Sequence, residues 1–167
     1  MDASSPPASD APRDGIDRRL HAGGRPGVNR LIGLALALPC LAVLLVAASL
    51  DADPAGYGTH TQLGLQPCGF RAATGMPCAT CGMTTSFTHA ADGRLARAFV
   101  TQPAGALLSL VLAMLTLVGG WAAWSGMPLR PLGAALWRPA TVVVGVVVVL
   151  SAWAFTALRV LVSGGAA

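Results

Sequence analysis

From residue 31 to residue 50 the chain runs through 20 positions without a charge, dominated by Leu, Ala and Val. At 1.5 Å per helical residue such a run covers roughly 30 Å, the thickness of bilayer hydrocarbon. The pattern predicts a first membrane-spanning helix there. A second uncharged stretch extends from Ala98 to Leu129. Pro103 suits a first helical turn, so the predicted second span covers residues 104–124. The third, residues 139–158, is Val-rich at its centre. It is read as helix because a lone strand in lipid would leave its backbone groups unpaired.

The stretch from residue 72 to residue 91 breaks this pattern. It carries no Asp or Arg before its end, but holds Thr74, Thr80, Thr84, Thr85, Ser86, Thr88 and His89, with two Gly and one Pro. Such polarity suits the membrane interface or a shielded re-entrant element better than open lipid. The expected fold is therefore an all-α membrane protein with three transmembrane helices. A short Cys-rich interfacial or re-entrant helix lies between the first and second, within a loop over residues 68–100. Residues 1–30 read as a disordered basic tail, residues 31–158 as the polytopic domain and residues 159–167 as a short C-terminal tail. Gly56, Gly58 and Gly64 read as a flexible connection. They form no phosphate loop, since the chain has no Lys. Ser109 and Ala113 make a small-xxx-small pair of the kind that alanine-rich chains contain by chance. From Asp92 to Thr101, Arg94 and Arg97 share one face of an amphipathic turn that could rest on headgroups or simply link to the second span.

Composition supports the membrane class. The chain of 167 residues is 54% hydrophobic and 11% charged, with 11 Arg and 7 Asp but neither Lys nor Glu. A soluble domain needs a denser mixture of surface charge, and a disordered chain needs far less apolar content. Five Arg precede the first span, which predicts a cytoplasmic N-terminus. Trp121, Trp124 and Trp137 flank the second loop as interfacial aromatic belts do. The pI near 9.4 follows from Arg residues beside the spans, so anionic lipid is the expected contact and nucleic acid is not. With no Glu and no Asp in a span, there is no intramembrane proton relay or carboxylate pair, and no catalytic residue is assigned. Three helices bury little surface, so self-association or a membrane-protein partner is expected.

One constellation carries possible chemistry: Cys68, Cys78 and Cys81, spaced Cys-x9-Cys-x2-Cys. Cys40 lies within the first span and reads as a small packing residue. Pro77 and the run that follows Cys78 predict a short helix that begins near the pair and ends at Gly93. Cys78, Cys81, Thr85 and His89 would then share one stripe, with the thiols near a helix N-terminus that eases their ionisation. Four readings stay open. The cysteines could form a structural disulfide on an oxidising outer face, a zinc-type metal site, a redox dithiol, or unpaired packing residues. In the metal reading His60 or His89 would be the fourth ligand. On a straight helix, however, Cys81 and His89 lie roughly 12 Å apart, so both could bind one ion only if the helix broke.

The segment Cys68-Gly69-Phe70-Arg71-Ala72-Ala73-Thr74-Gly75-Met76-Pro77-Cys78-Ala79-Thr80-Cys81-Gly82-Met83-Thr84, followed by Gly93, Ala98 and Pro103, resembles the bacterial membrane-protein family catalogued as domain of unknown function 2752. Cys68, Thr74, Gly75, Cys78, Cys81, Gly82, Thr84 and Pro103 match its pattern. Ala79, Met83, Thr85 and Gln102 stand where the family usually has Pro, Leu, Arg and Asn. The resemblance implies a multi-pass protein of the bacterial inner membrane and brings no established activity. Residue reading and resemblance together point to a non-enzymatic module presenting a Cys-clamped loop to a partner. The alternative is a thiol-based redox or metal-handling protein using Cys68, Cys78 and Cys81.

Overall fold

The computed structural model describes residues 26–162, and among them every regular element is helical. Helix α1 spans Pro26–Ala48. After a loop and a 3₁₀ turn at Thr59–Leu63 come three short helices: α2 (Gly69–Thr74), α3 (Met83–Ala91) and α4 (Leu95–Thr101). Helix α5 covers Pro103–Ser125, α6 Arg130–Leu136 and α7 Pro139–Val162. Helices α1, α5 and α7 are the three long and apolar enough to cross a bilayer. At 23, 23 and 24 residues they exceed the roughly 20 residues a span requires. The nine residues of α3 would rise only about 14 Å, too short to cross.

Two boundaries differ from the sequence reading. Helix α1 begins at Pro26, so residues 26–30 belong to the first span and not to a disordered tail. Helix α7 runs on through Arg159 to Val162 instead of ending at residue 158. In both places hydropathy falls at an arginine while backbone hydrogen bonding continues, because a long Arg can reach the interface from inside a helix. The rest of the expected tails, residues 1–25 and 163–167, lies outside the described residues.

Helices α1 and α5 form an intimate antiparallel pair, and small residues make it possible. Asn29, Gly33, Ala37, Cys40 and Ala47 line the buried stripe of α1, while Leu31, Leu34, Leu38, Leu41 and Leu45 face outward. This inside-out pattern is expected where lipid replaces water, since leucine gains nothing by leaving hydrocarbon and close backbone approach gives the packing energy. A Cβ on Gly33 would lie 2.6 Å from the Ala123 nitrogen and 2.7 Å from the Gly119 oxygen, so glycine is required at this crossing. At the end of the pair, the Asn29 side-chain amide donates to the Gly126 carbonyl at 2.9 Å.

Helix α7 packs less closely and is tied by polar contacts to the opposite end of α5. Its Trp153 indole N–H donates to the Pro77 carbonyl at 3.4 Å, Thr156 donates to the Gln102 side chain at 3.0 Å, and Arg159 donates to the Val100 carbonyl. All the short helices from α2 to α4 therefore sit at one end of the bundle. Here the C-terminal ends of α1 and α7 meet the N-terminus of α5. Arg30, Arg130 and Arg138 mark the other end, together with α6.

Candidate functional site

The layer that carries the cysteines is organised around α3. Thr85, Ser86, Phe87 and Thr88 of this helix are all buried. Their hydroxyls find partners: Thr85 Oγ1 lies 2.8 Å from Thr59 Oγ1, and Ser86 Oγ reaches the carbonyls of Ala98 at 2.9 Å and Gln102 at 3.0 Å. Gly105 makes room for this contact, since a Cβ there would meet the Ser86 Cβ at 3.0 Å. The α3 part of the polar segment is thus shielded by protein, with the hydroxyls of Thr85, Ser86 and Thr88 satisfied internally, whereas Thr74 and Thr80 before it are exposed.

Helix α3 begins at Met83, five residues after Cys78, so neither cysteine of the pair is on it. Cys78 and Cys81 lie in the tight turn before it. The Cys81 N–H donates to the Cys78 carbonyl at 3.1 Å, and the Met83 N–H to that of Thr80 at 3.1 Å. Gly82 closes the turn at φ +81°, a left-handed conformation, with its α-hydrogens turned toward the Gly56 carbonyl; a Cβ there would come within 2.8 Å of that oxygen. Pro77, fully buried, anchors the start of the turn, and Trp153 of α7 bonds its carbonyl. Gln102, also fully buried, holds the middle: its side-chain amide donates to the Ala79 carbonyl at 3.0 Å while its oxygen accepts from Thr156. Cys68 arrives separately, as the residue that caps the start of α2.

These elements bring together the three cysteines of the motif. Their Sγ atoms all lie within 4.8 Å of one another, and those of Cys78 and Cys81 are 3.2 Å apart. Among the described residues, neither His60 nor His89 joins this group. His60 turns its Nε2 to the Gln66 carbonyl at 3.1 Å. His89 sits toward the far end of α3 with Nδ1 buried and unbonded. Burial, and after it the charges of Arg97 and Arg94, push its pKa down against the opposing charge of Asp92. Cys40 lies apart, buried on the α1 stripe.

The two thiols of the turn have unequal acidities. Burial raises the pKa of Cys78, but hydrogen-bonding contacts with the Thr80 hydroxyl at 3.3 Å and with Cys81, with further help from the Thr80 backbone and Cys68, bring it down to about 7. Cys81 is pushed up to about 12 by its deeper burial and by the sulfur and charge of Cys78 beside it. One proton is thus easily lost and the next is held, as expected of two acids that share a site.

The cluster borders a cavity of about 720 Å³ whose wall also includes Asp53, Tyr57, His60 and Arg71. The Arg71 guanidinium stacks on the Tyr57 ring, 3.3 Å from its centroid. Asp53 is engaged in its own loop, where Oδ1 accepts the Ala55 N–H at 2.8 Å. On its other side Cys78 borders a smaller apolar recess of about 370 Å³ with Phe70, Val149, Leu150 and Trp153.

Tyr57 and Trp153 carry no signal of motif or periodicity, whereas Arg71 and Gln102 fall within the family-like pattern without being marked there as site residues. For Gln102 a further signal is its place directly before the proline that opens a span, since a polar side chain there must find partners. Residues 68–116 match the model of the family described as "Protein of unknown function (DUF2752)". The matched segment contains all three clustered cysteines, helices α2 to α4 and the first part of α5. No curated protein and no solved structure matches the chain.

Proposed function

We propose that this multi-pass membrane protein handles a thiophilic metal ion, held by Cys68, Cys78 and Cys81 at one end of its helix bundle. The observation that carries the reading is the convergence of three sulfurs within 4.8 Å from two separate elements. With metal–sulfur bonds of ~2.3 Å, tetrahedral geometry places sulfurs about 3.8 Å apart, a spacing that this group reaches with small side-chain movements. The low pKa of Cys78 supplies one thiolate near neutral pH, and the cation would displace the protons of the other two. The site adjoins an open cavity, which suits an ion that exchanges better than a sealed structural zinc.

Cobalt(II) provides the test. Titrated into detergent-solubilised, metal-free protein, it is expected to give sulfur-to-cobalt charge-transfer absorption saturating at one ion per chain. Cys68→Ser, Cys78→Ser and Cys81→Ser each weaken binding by about 10-fold or more, whereas Cys40→Ser leaves it unchanged. An absorption spectrum free of thiolate bands refutes the reading.

A second reading rests on the Cys78–Cys81 pair, whose sulfurs are 3.2 Å apart with the first more exposed and more acidic than the second. This asymmetry suits a dithiol that attacks through Cys78 and resolves through Cys81. It predicts a reversible two-electron couple that survives Cys68→Ser, a substitution that weakens the metal site. In either reading we place the N-terminus in the cytoplasm and the cysteine layer on the outer face. The support is that Arg30, Arg130 and Arg138 share the opposite end, and that four more Arg precede α1 in the sequence. Presentation of this layer to a membrane-protein partner is compatible with both.

A further inference from the structure

We propose that the cavity beside the cluster receives a small thiol bearing a carboxylate, which completes the coordination of the bound ion. This inference rests on the metal reading above and names what the site takes besides the ion. A soft divalent ion favours four ligands, and the described residues bring three sulfurs within reach of one point. All three border the same cavity of about 720 Å³, so a fourth donor can approach from there, and the space exceeds what a single water needs. Thiolate is the donor type such an ion prefers in this environment. The guest binds as its thiolate. Its sulfhydryl proton passes to bulk water as the sulfur–metal bond forms, and it displaces whatever solvent ligand held the fourth position.

The carboxylate is assigned from Arg71. Among the described residues this is the one arginine on the cavity wall, and its Cζ lies over the Tyr57 ring, 3.3 Å from the centroid. Stacking on a ring face occupies the π surface of the guanidinium and leaves its in-plane N–H donors available at the edge, the arrangement that suits a carboxylate. The other polar groups of the wall are engaged locally: Asp53 accepts a backbone N–H within its own loop and His60 Nε2 meets the Gln66 carbonyl. Thr61 and Thr84 add neutral hydroxyls to the lining, which leaves Arg71 as the cation positioned for a carboxylate.

The test uses the full-length protein loaded with cobalt(II) in detergent and titrated with three thiols of similar size: 3-mercaptopropionate, 2-mercaptoethanol and cysteamine. The charge-transfer and ligand-field bands are expected to shift at sub-stoichiometric release of cobalt, with 3-mercaptopropionate binding about fivefold tighter than 2-mercaptoethanol and cysteamine weakest. Arg71→Gln removes the preference for the carboxylate while the starting cobalt spectrum remains. Arg71→Lys, which keeps the charge without the planar fork, restores part of it. A cobalt spectrum insensitive to all three thiols overturns the inference and leaves the metal reading standing. So does a carboxylate preference that persists in Arg71→Gln. Absence of thiolate-to-cobalt bands before any thiol is added overturns the metal reading and this inference together.

Discussion

Cys78 and Cys81 are the same residue type three positions apart, and their surroundings make them different reagents. Contacts with Thr80 and the neighbouring thiols lower the pKa of Cys78, while Cys81 is buried beside the charge that forms there. The sign is direct: a lowered pKa means more thiolate, so in metal-free, reduced protein the alkylation rate of Cys78 climbs as pH rises through about 7. Above about pH 8 the rate levels off, because the thiolate fraction is then nearly complete. Cys81, held protonated up to about 12, reacts negligibly across that range. Mass spectrometry of iodoacetamide-labelled peptides checks this, and equal rates at the two sites would contradict it. The three thiols were legible as a motif because sulfur is scarce and their spacing tight. Their meeting was not, since it depends on Gly82 in a left-handed turn and on Gln102, which bonds the Ala79 carbonyl and is itself held by Thr156, a residue 54 positions away. His89 shows the converse: the stripe that placed it with the cysteines assumed a helix from Cys78, and the turn before Met83 breaks that register.

At the scale of elements, the spans were readable because bilayer thickness imposes a length and lipid imposes a composition on each. The 3₁₀ turn at Thr59–Leu63 and helices α2 and α6 were not. They span 5, 6 and 7 residues, too few for a periodic signal, and two of them end at glycines with positive φ. Gly58 and Gly64 bracket the 3₁₀ turn in left-handed conformations, so the connection read as flexible is a defined turn. The helix contact could not be assigned from the sequence either. Ser109 and Ala113 were the visible small pair, whereas the closest crossing uses Gly33 and Ala37 against Gly119 and Ala122. Which small residues meet depends on the register of two helices some 80 residues apart, and a single sequence does not contain it. Gly33→Leu forces these backbones apart and is expected to destabilise the α1–α5 pair by ~1–3 kcal/mol. Thermal unfolding in detergent micelles measures it, with Gly120→Leu as the control on open surface. Equal melting temperatures for the two variants would contradict the packing described.

Taken whole, the molecule is a closely packed helix pair with a third helix tied on by polar contacts at one end, and that end is where the thiols lie. Trp153, Thr156 and Arg159 of α7 bond to carbonyl or amide groups of the segment from Pro77 to Gln102. Much of the rest of α7 is exposed apolar surface suited to lipid. The bundle thus holds the sulfur-bearing layer at one end, beside the ends of its three membrane-spanning helices. The most direct measurement of the central claim is X-ray absorption at the zinc edge of full-length protein loaded with one equivalent of zinc. Convergence of Cys68, Cys78 and Cys81 on one ion predicts a shell of three sulfurs at ~2.3 Å, reduced to two in Cys68→Ser. A first shell of nitrogen and oxygen alone, or a sulfur count indifferent to Cys68, would contradict it.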